Sequence, residues 1–189
     1  MNDRLCLDPL ELSLALVSTA LRKVGNYYFP VPWLVFPALR FLSKEVPDKE
    51  VFEFGSGTST LWYAKRCRHI ISIEDDPEWF ERQTARMQTH HNVQVIFETD
   101  PDSYANKLRS LGRLFDIVIV DGSHRLKCLR NSVDWVRPGG CIVVDNTDQQ
   151  GDLADFARQS FPAECLSVLS GYAPGNFYAK ETTIIRVPS

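Results

Sequence analysis

VFEFGSGTST, residues 51–60, runs from an apolar segment through an acid, Glu53, into two glycines around one serine, Gly55 and Gly57. The helix-forming LWYAKRC follows directly. A strand, a tight glycine turn and a helix, in that order, let backbone approach a nucleotide closely. The dinucleotide fingerprint G-x-G-x-x-G is incomplete, because Thr60 stands at its third glycine position.

Working outward, strand-like runs recur at 51–54, 69–74, 93–98, 115–121 and 141–145. Helical patterns fall between them at 58–66, 77–89, 103–111 and 126–136, and Asp76 before Pro77 is a helix start. Strand and helix in alternation predict an α/β fold with a parallel sheet covered on both faces. A helix at 153–161 and strands at 165–169 and 182–187 complete a Rossmann-like, doubly wound, mostly parallel sheet of seven strands. Before the sheet, Leu10, Leu14, Val17, Leu21 and Val24 recur at helical spacing. They predict an amphipathic helix packed on the domain as a cap. Residues 1–48 are therefore read as an N-terminal helical cap, part of the same domain as the nucleotide-binding region at 49–189.

The chain has 189 residues, enough for one domain with a sizeable core, and a net charge of −3. Its basic residues form no long block, which argues against nucleic acid as a partner. Five scattered cysteines, Cys6, Cys67, Cys128, Cys141 and Cys165, show no zinc spacing and suit free thiols in a reducing cytoplasm. LELSLALVSTAL resembles a leader core only briefly, since Glu11 interrupts it and Asp3 and Asp8 outweigh Arg4. No apolar run approaches the roughly 18 residues of a membrane span. A soluble cytoplasmic protein is expected, with no membrane partner and with its oligomeric state open.

Each parallel strand ends at or near an acid: Glu53, Glu74, Asp100, Asp121 and Asp145. Ligands in such sheets bind outside the carboxyl ends of the strands. Acids also favour turns and helix caps, which accounts for some of the five. A row of carboxylates repels a diphosphate and suits a ligand with positive groups, or a metal ion. Glu74 lies 19 residues after Gly55, a spacing at which an acid reads ribose hydroxyls.

With those residues in place, the chain resembles the class I S-adenosylmethionine (SAM) dependent methyltransferases. FEFGSGTS is similar to their first motif, ISIEDDP to the acidic tip of their second strand, FDIVIVDGSH to their fourth-strand motif and VRPGGCIVVDN to the turn into their fifth strand. The resemblance implies that Gly55 and Gly57 admit the methionine part of SAM, and that Glu53 helps hold its ammonium. It implies that Glu74 binds the ribose and that Asp100 lies near the adenine, with Asp102 as its rival. It also implies a last strand that runs antiparallel, inserted between its neighbours.

Methyl transfer aligns donor and acceptor and often removes a proton from the acceptor. Asp121, Asp145 and Asn146 would converge if the fourth and fifth strands are neighbours, and hard cations such as Mg2+ take such oxygens. This resembles metal-dependent O-methyltransferases. In the catechol type a lysine can act as base where this chain has His124; His124 also suits a turn, and Asp121 could simply line the SAM pocket. The expected function is methyl transfer from SAM to a small-molecule acceptor, at a hydroxyl oxygen, with Asp121 and His124 catalytic and Mg2+ a possible second cofactor. The alternatives are an NAD-type oxidoreductase and a non-catalytic binding protein on the same fold.

Overall fold

The computed structural model describes residues 8–25 and 27–188. Two helices, α1 (Pro9–Gly25) and α2 (Phe36–Glu45), precede the sheet. The alternation then runs β1 (Glu50–Phe54), α3 (Thr58–Ala64), β2 (His69–Glu74), α4 (Pro77–Met87), β3 (Val93–Phe97), α5 (Pro101–Ala105), α6 (Lys107–Leu111), β4 (Phe115–Val120), α7 (Arg125–Ser132) and β5 (Val136–Asp145). It closes with α8 (Gly151–Ser160), β6 (Leu166–Gly171) and β7 (Lys180–Arg186). The single helix expected at 103–111 is two short ones, broken at Asn106.

The sheet order is β3-β2-β1-β4-β5-β7-β6. The first five strands are mutually parallel, and β7 runs antiparallel between β5 and β6. This is the seven-stranded Rossmann-like sheet, including the inserted last strand. The strand order reverses between β1 and β4, and the crevice at such a switch point is where this architecture binds ligands.

Alternate residues of each strand serve opposite cores. Phe52, Phe54, Ile71, Ile73, Val118, Val120, Ile142 and Val144 pack on one face of the sheet under α5 to α8. Val51, Ile70, Ile117, Ile119, Cys141 and Val143 pack on the other with α2 and α3. Glu53 shares the second face and sits beside Ser72 on β2 in the strand register. It is a carboxyl placed inside an apolar layer, and that placement governs its chemistry.

The cap helix departs from its expected packing. The residues of α1 that are buried are Glu11, Ala15, Ser18 and Thr19. Its apolar stripe faces outward, with Leu10 66%, Val17 56% and Val24 91% exposed. The reason is that polar contacts fix the opposite face: Arg40 pairs with Glu11, and the Ser18 hydroxyl accepts from the Gly175 N–H at 2.9 Å. Among the described residues Cys67, Cys128, Cys141 and Cys165 are free thiols, and no helix is long and apolar enough to cross a membrane. Cys6, Asp3 and Arg4 lie outside the described residues.

Candidate active site

A cavity of about 240 Å³ opens at the carboxyl ends of β1, β2 and β4. Its floor is the glycine turn, Gly55 to Ser59, and its sides include Glu74, Asp121, Trp33 and Trp79. The volume lies just below the roughly 300–1,000 Å³ usual for small-molecule sites.

The turn is held by backbone contacts that exclude side chains. Gly55 adopts φ +92, and its N–H and that of Ser56 both donate to the Ile73 carbonyl. A Cβ on Gly55 would lie 2.5 Å from Cα of Gly122. Gly57 ends its extended approach by donating its N–H to the Thr60 hydroxyl at 2.9 Å, which starts α3. Thr60 thus has a task that a third glycine could not perform.

Glu53 does not reach the cavity wall. Its carboxylate accepts from the hydroxyls of Ser59 at 2.5 Å, Thr60 at 2.5 Å and Ser72 at 2.8 Å. With Glu53 1% exposed, these three hydroxyls enclose both oxygens, so it braces the turn from behind rather than meeting an ammonium group. Burial pushes its pKa up to about 7 against the hydroxyls that lower it. Glu74 does line the cavity. One of its oxygens accepts from the N–H groups of Asp75 and Asp76, at 3.1 and 3.0 Å, and burial raises it to about 7.

Asp100 is not at the cavity. It is exposed and caps α5, its carboxylate accepting from the Ser103 N–H at 2.8 Å, which lowers its pKa. Its rival Asp102 is exposed too and pairs with Lys127. The local sequence Asp100-Pro101 is a helix start, and capping takes the acid. His124 is likewise turned away. It is exposed, holds φ +53 immediately before α7, and lines a neighbouring groove with Lys127 and Arg130. Only Gly122, Ser123 and Asp121 of this motif wall the cavity.

Asp121, Asp145 and Asn146 do come together, but around protein cations. Arg125 reaches Asp121 Oδ1 with Nη2 at 3.0 Å, and donates Nη1 to the Asn146 side-chain oxygen at 2.8 Å and the Asp145 carbonyl at 2.9 Å. Lys180, 4% exposed, pairs with the 1% exposed Asp145, whose other oxygen accepts from Thr182 at 2.7 Å. A metal ion at these oxygens would have to displace Arg125 and sit beside Lys180. The donor set does not fit a metal ion, and no cluster of three His, Cys, Asp or Glu able to hold one occurs among the described residues. Burial and the charge of Asp145 raise Asp121 to about 6, and Arg125 and Lys180 limit that rise.

Sequence reading missed Gly122, Trp79, Arg125 and Lys180. Arg125 was legible as the i+4 partner of Asp121. Trp79, whose indole N–H donates to the Ser56 carbonyl, and Lys180 carried no local signal.

Residues 52–147, just over half of the chain, match the sequence model of a family described as "Methyltransferase domain". Among solved structures, cofactor-bound Rv0187 from MTB is 19% identical, with 97% of this chain and 92% of that one covered and a TM-score of 0.65. A protein named as a caffeoyl-CoA O-methyltransferase from Staphylococcus aureus is 12% identical over 91% of both chains, with a TM-score of 0.62. An rRNA methylase from Streptococcus thermophilus is 11% identical over 81% of this chain and 95% of its own, also at 0.62. At these identities the likeness is one of fold, and the presence of an rRNA methylase means that the expected exclusion of nucleic acid gains no support. No curated protein matches the sequence. The family match sets the nicotinamide alternative aside: the chain belongs to the methyltransferase-domain family, whose cofactor is SAM.

Proposed function

We propose that this chain transfers a methyl group from SAM to a hydroxyl oxygen of a small-molecule acceptor, without a divalent metal. The observation that carries the reading is the cavity itself: a glycine-turn floor, Glu74 on one side and Asp121 on the other. Gly55 and Gly57 leave room for the methionine part, and Glu74 offers a carboxylate to the ribose hydroxyls. SAM supplies an electrophilic methyl carbon when bound.

The acceptor must lose a proton as its oxygen is methylated. Asp121 is the one titratable group of the predicted catalytic pair that faces the cavity, and its value near 6 leaves it ionised at neutral pH. Arg125, which also donates to the carbonyls of Asp121, Gly122 and Asp145 and to the Asn146 side-chain oxygen, fixes its position. The small-molecule class is supported by the apolar rim of Val31 and Trp33 and by a cavity lining that has no Lys or Arg among the described residues. The basic side chains nearest it, Arg125, Lys127 and Arg130, lie on the adjoining groove that shares Gly122 and Ser123 with the cavity, so transfer to RNA is the outcome the test below must distinguish.

The test is transfer of labelled methyl from SAM to a panel of phenol and sugar hydroxyls, with excess chelator and then with Mg2+. Transfer that chelation leaves unchanged supports the reading. Transfer only to RNA, or only with Mg2+, contradicts it.

A further inference from the structure

Helix α4 carries a polar side chain that the fold does not use. Gln83 is 0% exposed, and neither its side-chain oxygen nor its nitrogen has a hydrogen-bond partner among the described residues. A buried carboxamide in that state costs free energy whichever way the amide is turned, and an apolar side chain of the same shape would not. Gln83 lies in the interior of α4, where no cap or turn asks for a polar residue.

What Gln83 borders is a second cavity, of about 210 Å³. Thr58 and Leu61 of α3, Gln83 and Arg86 of α4, and Tyr27, Tyr28 and Pro30 of the segment after α1 form its walls. It adjoins the SAM cavity without being part of it. Thr58 lines both, while Trp79, one turn before Gln83 on α4, lines only the first. Tyr28 lines only the second, yet its ring stacks on Trp33 at 5.9 Å and meets Trp79 edge-on at 6.3 Å, and both of those belong to the SAM cavity. The Tyr28 ring therefore stands between the two spaces.

We propose that this cavity is a second small-molecule site, for a flat ring whose edge carries a donor beside an acceptor, as an aromatic amide or a lactam does. The Gln83 carboxamide offers an oxygen that accepts and an NH2 that donates, so it can pair with such an edge through both atoms at once. Tyr27 and Tyr28 supply aromatic surface for the ring, and Leu61 and Pro30 supply apolar surface. The volume is below the roughly 300–1,000 Å³ of drug-sized sites, which suits a single ring with a small substituent. Arg86, the one charged residue of the lining among the described residues, disfavours a cationic ligand. The inference does not rest on the proposed methyl transfer, because Gln83 is outside the SAM cavity.

Benzamide and toluene, which differ by exchange of the amide for a methyl group, are the probe pair. Ligand-observed NMR titration of the full chain is expected to show saturable benzamide binding, at least about tenfold tighter than that of toluene. Gln83→Met keeps the shape of the side chain and removes both polar atoms. It is expected to reverse the preference for benzamide over toluene. It should also raise Tm by about 2–4 °C, since the unmet carboxamide is gone, and leave SAM binding in place. The comparison of the two probes on the wild-type chain stands whether or not the variant folds. A wild-type chain that binds both probes equally, or neither, overturns the proposal. So does Gln83→Met with a lowered Tm, which would mean that water or neighbouring groups already satisfy the carboxamide.

Discussion

Gly55 and Gly122 meet back to back at the point where β1 and β4 end. A Cβ on Gly55 would lie 2.5 Å from Gly122 Cα, and a Cβ on Gly122 would lie 2.6 Å from Gly55 N and closer still to the Tyr104 hydroxyl. The two strand tips, with Ser56 on one and Asp121 on the other, keep their spacing only while both residues lack side chains. Gly122→Ala is therefore expected to destabilise the fold by about 2 kcal/mol or more, because the obstruction is backbone and cannot swing aside. Urea unfolding measures it. SAM affinity should fall with it, and an alanine tolerated within about 0.5 kcal/mol would contradict this packing.

Lys180 and Asp145 form an ion pair from which water is excluded. Lys180→Met leaves the carboxylate buried beside only Thr182 and the more distant Arg125, 3.9 Å away. The expected loss is about 3–5 kcal/mol, the usual cost of removing one partner of a buried pair. Adding Asp145→Asn to Lys180→Met should recover part of that loss, since the stranded charge is gone. A double variant less stable than the single one would show that Asp145 is held by something other than this pair.

Glu53 makes stability depend on pH. Its folded value near 7 lies above its ordinary 4.5, so the fold favours the protonated form. The stability this contributes is complete below pH 4.5 and is lost as pH rises through 7. The loss spans about 2.5 pH units at about 1.4 kcal/mol each, or about 3–4 kcal/mol. Glu53→Gln keeps oxygen and nitrogen among the hydroxyls of Ser59, Thr60 and Ser72 and should flatten that decline. Unfolding free energies at pH 5 and pH 8 for both proteins decide it; equal declines would mean that Glu53 is not the group responsible.

Asp121→Asn tests the proton acceptor. Methyl transfer should fall about 100-fold or more, the scale of a lost general base. The wild-type rate should rise through about pH 6 with ionisation of Asp121, and the variant should lack that rise. His124→Ala, on the neighbouring groove, should keep it. If His124→Ala removes the dependence and Asp121→Asn does not, the roles are reversed.

The fold was legible because its signals are local and periodic. Alternating apolar strands, Asp76-Pro77 and the glycine turn each announce an element within a few residues. The cavity floor was legible for the same reason. Side chains whose roles depend on contacts distant in sequence were not. Glu53 reads as a ligand acid until Ser72 and Thr60 enclose it, and Asp100 reads as one until Ser103 takes its carboxylate. Lys180 lies 35 residues from Asp145 and meets it only because β7 inserts beside β5. Helical periodicity marks the apolar stripe of α1 without showing what it faces; the structure turns that stripe outward and buries Glu11, Ala15, Ser18 and Thr19 instead.

The most direct test of the account is calorimetric titration of the purified chain with SAM, with NADH as control, in chelator and in Mg2+, repeated with Glu74→Gln. The account predicts saturable SAM binding that is the same with and without Mg2+, silence with NADH, and an affinity at least about tenfold weaker in Glu74→Gln through the lost ribose contact. No SAM binding in either condition, or binding to which Glu74 is indifferent, would contradict it.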